Sequence, residues 1–137
     1  MQRRTSTTIV YVLLVGTLVA ACSGGGRPLS IAETHFTGTP EGFSNVELGV
    51  APHEDSRKLQ IITSGSSNCP SLPTAVNWRD RDSVLEVSVA EIRPESGICS
   101  TDITRTTSVL ELPDNAPDAP RMTVVIDGQE FIVGDRQ

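Results

Sequence analysis

From Phe43 to the C-terminus, apolar and polar residues alternate in short runs, each closed by a turn signal. Val46, Leu48 and Val50 stand two apart between Gly42 and Pro52, which predicts a strand over Asn45–Val50. Ala51–Arg57 then reads as a charged loop. Lys58–Thr63 predicts a strand with Leu59 and Ile61 inward and Ile62 as a further inward candidate. Small residues from Ser64 to Asn68 predict a turn. Pro70 and Pro73 exclude both a helix and a central strand there, so that segment is expected as an edge or entry loop before the run Thr74–Trp78. Arg79-Asp80-Arg81-Asp82 is a charged turn. Val84–Val89 follows it as the cleanest alternation in the chain, with Leu85, Val87 and Val89 opposed to Glu86 and Ser88, and the two runs predict a hairpin.

Beyond the polar loop Glu91–Gly97, the run Thr106–Leu112 predicts a strand with Leu110 and Leu112 inward, and Pro113–Pro120 breaks all regular structure. Met122–Val133 reads as a second hairpin, because Asp127-Gly128 between two apolar runs supplies the positive φ that both positions of a tight turn require. No window of this region repeats at the helical period. The expectation is an all-β fold: a small antiparallel β-sandwich or partly open barrel of about seven short strands. Trp78 does not make it an immunoglobulin-type sandwich, since Cys99 follows Cys69 too closely for that family's inter-sheet pair.

The N-terminal part has a different pattern. Arg3 and Arg4 precede Ile9–Ala21, a run apolar apart from Thr17 and shorter than the roughly 20 residues that cross a bilayer. It ends Leu18-Val19-Ala20-Ala21-Cys22, which resembles the lipobox of bacterial lipoproteins at every position. The resemblance implies a signal peptide over 1–21, cleavage before Cys22, a diacylglyceryl thioether on Cys22, and retention on the extracytoplasmic face of the bacterial cell membrane. Two acyl chains anchor stably where one is marginal. The Arg3-Arg4 pair lacks the apolar residues that twin-arginine export expects just after it, so the export route stays open. Residues 22–42, beginning Cys22-Ser23-Gly24-Gly25-Gly26, read as a flexible tether with at most one loose edge strand near Leu29–Phe36, and 43–137 as the globular domain.

With Cys22 assigned to the anchor, Cys69 and Cys99 remain as a pair, and an exported chain commonly bridges such a pair. A metal site or a catalytic thiol is the rival reading, and neither cysteine has a histidine or further cysteine at ligand spacing. The stretches Gly65–Trp78 and Cys99–Pro113 are expected as two strands stapled together by that bond.

Charge narrows the partners. The chain carries 11 basic and 17 acidic residues; without Arg3 and Arg4 the balance is 9 against 17, or −8. That balance, with no basic stripe, argues against nucleic acid and against a polybasic lipid-binding surface. Membrane attachment is expected through the lipid on Cys22 alone, with an envelope protein or a glycan as the possible partner.

Candidate chemistry is sparse. Gly65-Ser66-Ser67-Asn68 lacks the second glycine of a nucleophile elbow, and His35 and His53 fall in expected tether and loop. Asp80 and Asp82 offer too few oxygens for a cation. Glu91, Glu95 and Asp102 are candidates to pair as acid and base for glycoside hydrolysis, but acids in the loops of an acidic protein are the default. One Trp and three Phe make a sugar-stacking platform hard to assemble, and Trp78 reads as a core or half-buried residue beside the bridge. No catalytic residue, metal or cofactor is assigned. Gly65-Ser66-Ser67-Asn68-Cys69-Pro70-Ser71-Leu72-Pro73 together with Cys99-Ser100-Thr101-Asp102-Ile103-Thr104-Arg105-Thr106-Thr107-Ser108-Val109-Leu110-Glu111-Leu112-Pro113 resembles a group of small uncharacterised lipoproteins of actinobacterial type, over roughly Lys58–Val133. The resemblance implies an envelope location and a disulfide, and no activity. The expectation is therefore a lipid-anchored, non-catalytic binding or assembly module, with a cell-wall-directed enzyme or accessory, or an inhibitor-type protein, as the alternatives.

Overall fold

The computed structural model describes residues 26–134, so the expected signal segment and Cys22 lie outside the described residues. Eight strands follow in order: β1 (Thr34–Thr37), β2 (Gly49–Pro52), β3 (Lys58–Gly65), β4 (Ser71–Arg79), β5 (Val84–Glu91), β6 (Thr104–Glu111), β7 (Thr123–Ile126) and β8 (Gln129–Ile132). They form two four-stranded sheets, ordered β1-β6-β3-β2 and β4-β5-β7-β8. The all-β sandwich expected from the alternation is the fold. One pairing departs from the antiparallel rule, since β5 and β7 run parallel.

The period of two explains the core. Val50, Leu59, Ile61 and Leu110 from the first sheet meet Leu85, Val87, Val124 and Ile126 from the second, all essentially buried. Each such side chain contributes about 1.5–3 kcal/mol by leaving water. Ile62, on the opposite face of β3, is also fully buried and packs with Phe43, Val46 and Ala51 in a second cluster. The segment 38–48 crosses the outer face of the first sheet on its way from β1 to β2 and covers it. Side chains of that face hold the segment down: Thr107 Oγ1 donates to the carbonyl of Gly38 at 2.7 Å, Ser64 Oγ to that of Glu47 at 2.9 Å, and Arg105 Nε to that of Val46 at 2.9 Å.

Two expectations are corrected by this arrangement. The strand expected at Asn45–Val50 lies at Gly49–Pro52, because Val46 is used as a knob on the outer face and not as a rung of the ladder. Residues 34–37, inside the expected tether, form β1 against β6, from Thr34↔Val109 to Thr37↔Thr106. This is the loose edge strand near Leu29–Phe36, and it is ordered into the sheet.

The prolines behave as their chemistry requires. Pro52 closes the edge strand β2, and Pro73 sits in the edge strand β4 beside a bulge that shifts the register between Pro73 and Ala75. The carbonyl of Pro73 accepts the N–H of Ile31 at 2.9 Å, so the segment entering β1 also ties the second sheet. Both expected hairpins form. Asp127 and Gly128 take φ of 48° and 82° between β7 and β8, and Ser83, at φ 53°, ends the turn between β4 and β5.

The chain passes between the sheets three times. At one end of the sandwich residues 66–70 lead from β3 to β4 and 92–103 from β5 to β6. At the other, 112–122 lead from β6 to β7. The ends are fixed by register, since Gly65 pairs with Thr104 and Ser71 with Glu91 at the first, and Lys58 with Glu111 and Val84 with Thr123 at the second.

Candidate functional site

The first end is built by the cysteines. Cys69 lies on the crossover 66–70, Cys99 on the crossover 92–103, and a disulfide joins them with their Cα atoms 5.5 Å apart. The bond thus ties two crossovers. It does not staple two paired strands, as Gly65–Trp78 and Cys99–Pro113 suggested: β4 pairs with β5, and β6 with β1 and β3, in the other sheet. The corner is tight. A Cβ on Gly65 would come 2.8 Å from the N of Ser71 and 2.9 Å from the carbonyl of Cys69, so only glycine fits.

Polar side chains join the same crossovers a second time. Asn68 Oδ1 accepts the N–H of Ser100 at 2.7 Å, while Asn68 Nδ2 donates to the carbonyl of Ile98 at 3.0 Å. The Asp102 carboxylate accepts the hydroxyl of Ser100, the N–H of Ser67 at 3.3 Å and the hydroxyl of Thr104 at 3.2 Å. Those donors, the Ser100 hydroxyl first, pull its pKa from 3.8 down to about 2. On this fixed scaffold Ile98 and Ile103 stand 72% and 83% exposed, whereas the most exposed large aliphatic residue of the strands, Ile132, stands at 44%.

The second end is held without a covalent bond. Arg57, in the turn between β2 and β3, donates through Nη1 to the carbonyl of Ala116 at 2.7 Å. Through Nη2 it donates to those of Pro113 at 2.7 Å and Leu112 at 3.2 Å. The backbone adds Leu112 N–H to the carbonyl of Arg57 and Ala119 N–H to that of Ser56, each at 2.8 Å. Beside this anchored crossover a cleft of about 570 Å³ opens between the end of β2 and the end of β8. Its apolar walls include Pro52, Ala119, Pro120, Ile132 and Val133, and its polar groups are those of His53, Glu54, Ser56 and Arg121. Neither the Arg57 anchor nor the cleft is visible in the sequence, since each joins residues far apart in the chain.

The residues weighed for catalysis remain dispersed. Asp80 accepts the indole N–H of Trp78 at 2.6 Å, and Asp82 faces Arg79 at 3.6 Å, so these acids are occupied by the hairpin turn. Trp78 is half-buried as expected, but at the far end of β4 from the disulfide. Glu91 pairs with Arg93 at 2.6 Å, and Glu95 is exposed in the loop. His35 stands exposed on β1, and His53 Nδ1 accepts the N–H of Asp55 at 3.0 Å. Ser66 Oγ contacts Asn68 Oδ1 at 3.2 Å, and no histidine approaches Ser66 or Ser67 within hydrogen-bonding distance among the described residues. Among the described residues no three His, Cys, Asp or Glu side chains gather as a metal-holding group. Comparison with family models, with curated proteins and with solved structures finds no match for the chain.

Proposed function

We propose that the chain is a lipid-anchored protein on the extracytoplasmic face of a bacterial cell membrane, held through Cys22, and that it acts as a non-catalytic module binding an envelope protein. The observation that supports this reading is the exposure of Ile98 and Ile103 on a loop already fixed by the disulfide and by Asn68 and Asp102. An apolar side chain presented by a rigid loop loses little conformational freedom on binding, so most of its burial becomes affinity. The corner has no aromatic ring on which a sugar would stack, which favours a protein over a glycan partner there.

The test is a cross-linking pull-down from envelope extract, with the folded mature chain and its Ile98→Ser/Ile103→Ser variant as baits. A protein captured by the first and lost with the second supports the reading, and an enzyme among the captured proteins would make this an inhibitor-type module. Equal capture by both baits, or by neither, overturns the assignment of the corner. Anchoring is tested separately: Cys22→Ala should release the chain from the membrane fraction or leave it as uncleaved precursor, and mature chain still retained at the membrane would contradict it.

A further inference from the structure

We propose that the cleft between β2 and β8 is a small-molecule site, separate from the disulfide corner, and that it takes a single-chain aliphatic carboxylate with its head group on Arg121. The volume of about 570 Å³ falls within the range of small-ligand sites, roughly 300–1,000 Å³. Proline, alanine, valine and isoleucine make the apolar walls, and no Phe, Tyr or Trp contributes. Such apolar walls suit an aliphatic body and offer a sugar no Phe, Tyr or Trp face to stack on.

The polar groups decide the head group. The Ser56 hydroxyl is engaged by Asp118 Oδ2 at 3.1 Å. His53 accepts a backbone N–H at Nδ1, so its neutral ring carries the proton on Nε2 and offers a donor. Arg121 makes no hydrogen bond or ion pair among the described residues, and its guanidinium is a fork that matches a carboxylate with two parallel bonds. Glu54, the one acid lining the cleft, opposes a doubly charged head group and leaves a monoanion as the fit. Arg121 also stands at φ 65°, a left-handed backbone that favours glycine, between exposed Pro120 and buried Met122. An arginine kept where glycine would sit without strain points to a use for its side chain.

The experiment is a titration of the mature chain carrying Cys22→Ser, so that no acyl chain of its own competes, followed by amide NMR. The probes are decanoate, 1-decanol and decylamine, each below its aggregation threshold. Decanoate should shift the amides of His53, Ala119, Arg121 and Val133 and bind better than decanol, with decylamine weakest. Arg121→Gln should weaken decanoate about tenfold, the usual worth of a hydrogen bond to a charged group, and leave decanol unchanged. Arg121→Gly removes the same guanidinium while relieving the backbone, so it should match Arg121→Gln in binding and equal or exceed the parent in thermal stability. Decanoate affinity unchanged in Arg121→Gly overturns the proposal. So does equal binding of decanoate and decanol, or decanoate binding that appears only when residues 135–137 are removed, which would make the chain's own end the occupant. The Ile98→Ser/Ile103→Ser variant should bind decanoate as the parent does, which separates this site from the protein-binding corner.

Discussion

The two ends of the sandwich solve one problem by different means. Each must fix a long irregular crossover between the sheets, and each does so by tying it to a neighbouring turn. At the end of residues 66–70 and 92–103 the tie is covalent, Cys69 to Cys99, backed by Asn68 and Asp102. At the end of residues 112–122 the tie is one guanidinium, Arg57, on three carbonyls. The covalent end closes tightly around Gly65 and presents two exposed isoleucines. The end held by Arg57 leaves a cleft. Beside the covalent corner the concavity is the smaller one, about 250 Å³ against Gly65, Asp102 and Ile103, whereas the cleft beside the crossover held by Arg57 is about 570 Å³.

That contrast can be broken most forcefully at the disulfide. In the chain-entropy view a bond closing a separation of 30 residues contributes about 3–4 kcal/mol. Cys69→Ala and Cys99→Ala should therefore lower the urea midpoint by equal amounts, and the double variant should add little; additive losses would show that the bond is not the common cause. The next effect belongs to the other end. Arg57→Ala removes three hydrogen bonds, those to the carbonyls of Leu112, Pro113 and Ala116, of which Pro113 keeps the Ala116 N–H, and should cost about 2 kcal/mol in denaturant unfolding, the arginine side chain being only one-third exposed. Arg57→Lys should recover less than half of that, because an ammonium cannot reach three carbonyls as a planar fork does. Amide shifts in Arg57→Ala should spread to Ala119 and Arg121 in the cleft and leave Ser100 and Asp102 still. A shift pattern confined to the turn 53–57 would mean that the backbone bonds hold the crossover alone.

The smallest effect sharpens the comparison by pH. Asp102 has a folded pKa of about 2 against an ordinary 3.8, so the stability it adds is complete above about pH 4 and is lost as pH falls through about 2. The difference in melting temperature between the parent and Asp102→Asn should shrink steadily over that window, and a carboxyl-carbon titration of Asp102 should show the low midpoint directly. A difference independent of pH would mean that the carboxylate's charge has no part in joining the crossovers.

Local signals carried much of this fold into the sequence, and non-local ones did not. The alternation of Leu85, Val87 and Val89 against Glu86 and Ser88 suffices to place β5, and Asp127-Gly128 suffices for the last hairpin, because both depend on neighbours in the chain. The prolines at 70 and 73 forbade a central position for their own segment, and Pro73 lies in β4, an edge strand. Val46 defeated the same reasoning. It keeps the period of Leu48 and Val50, but it packs on the outer face of the first sheet against Ile62, and periodicity carries no information about which face of which sheet an apolar residue serves. β3 and β4 follow one another and yet lie in different sheets, a division made by the Gly65 corner and not by any pattern within the strands. The cysteine pair was legible because its chemistry leaves two candidates. Arg57 was not, since its acceptors are backbone carbonyls 55 to 59 residues away that look like any others.

The parallel pairing of β5 with β7 sets an order of events for the newly made chain. A parallel neighbour cannot be reached by a tight turn, so β6 must leave for the first sheet and the chain must return before β7 meets β5. Both cysteines precede that return, and the C-terminal hairpin docks after the crossovers it depends on. Until it arrives, Leu85 and Val87 line an uncovered strand edge. The slowest and most aggregation-prone interval of folding is thus the wait for the hairpin of β7 and β8, and a chain stalled before Thr123 exposes a ready template for the wrong partner.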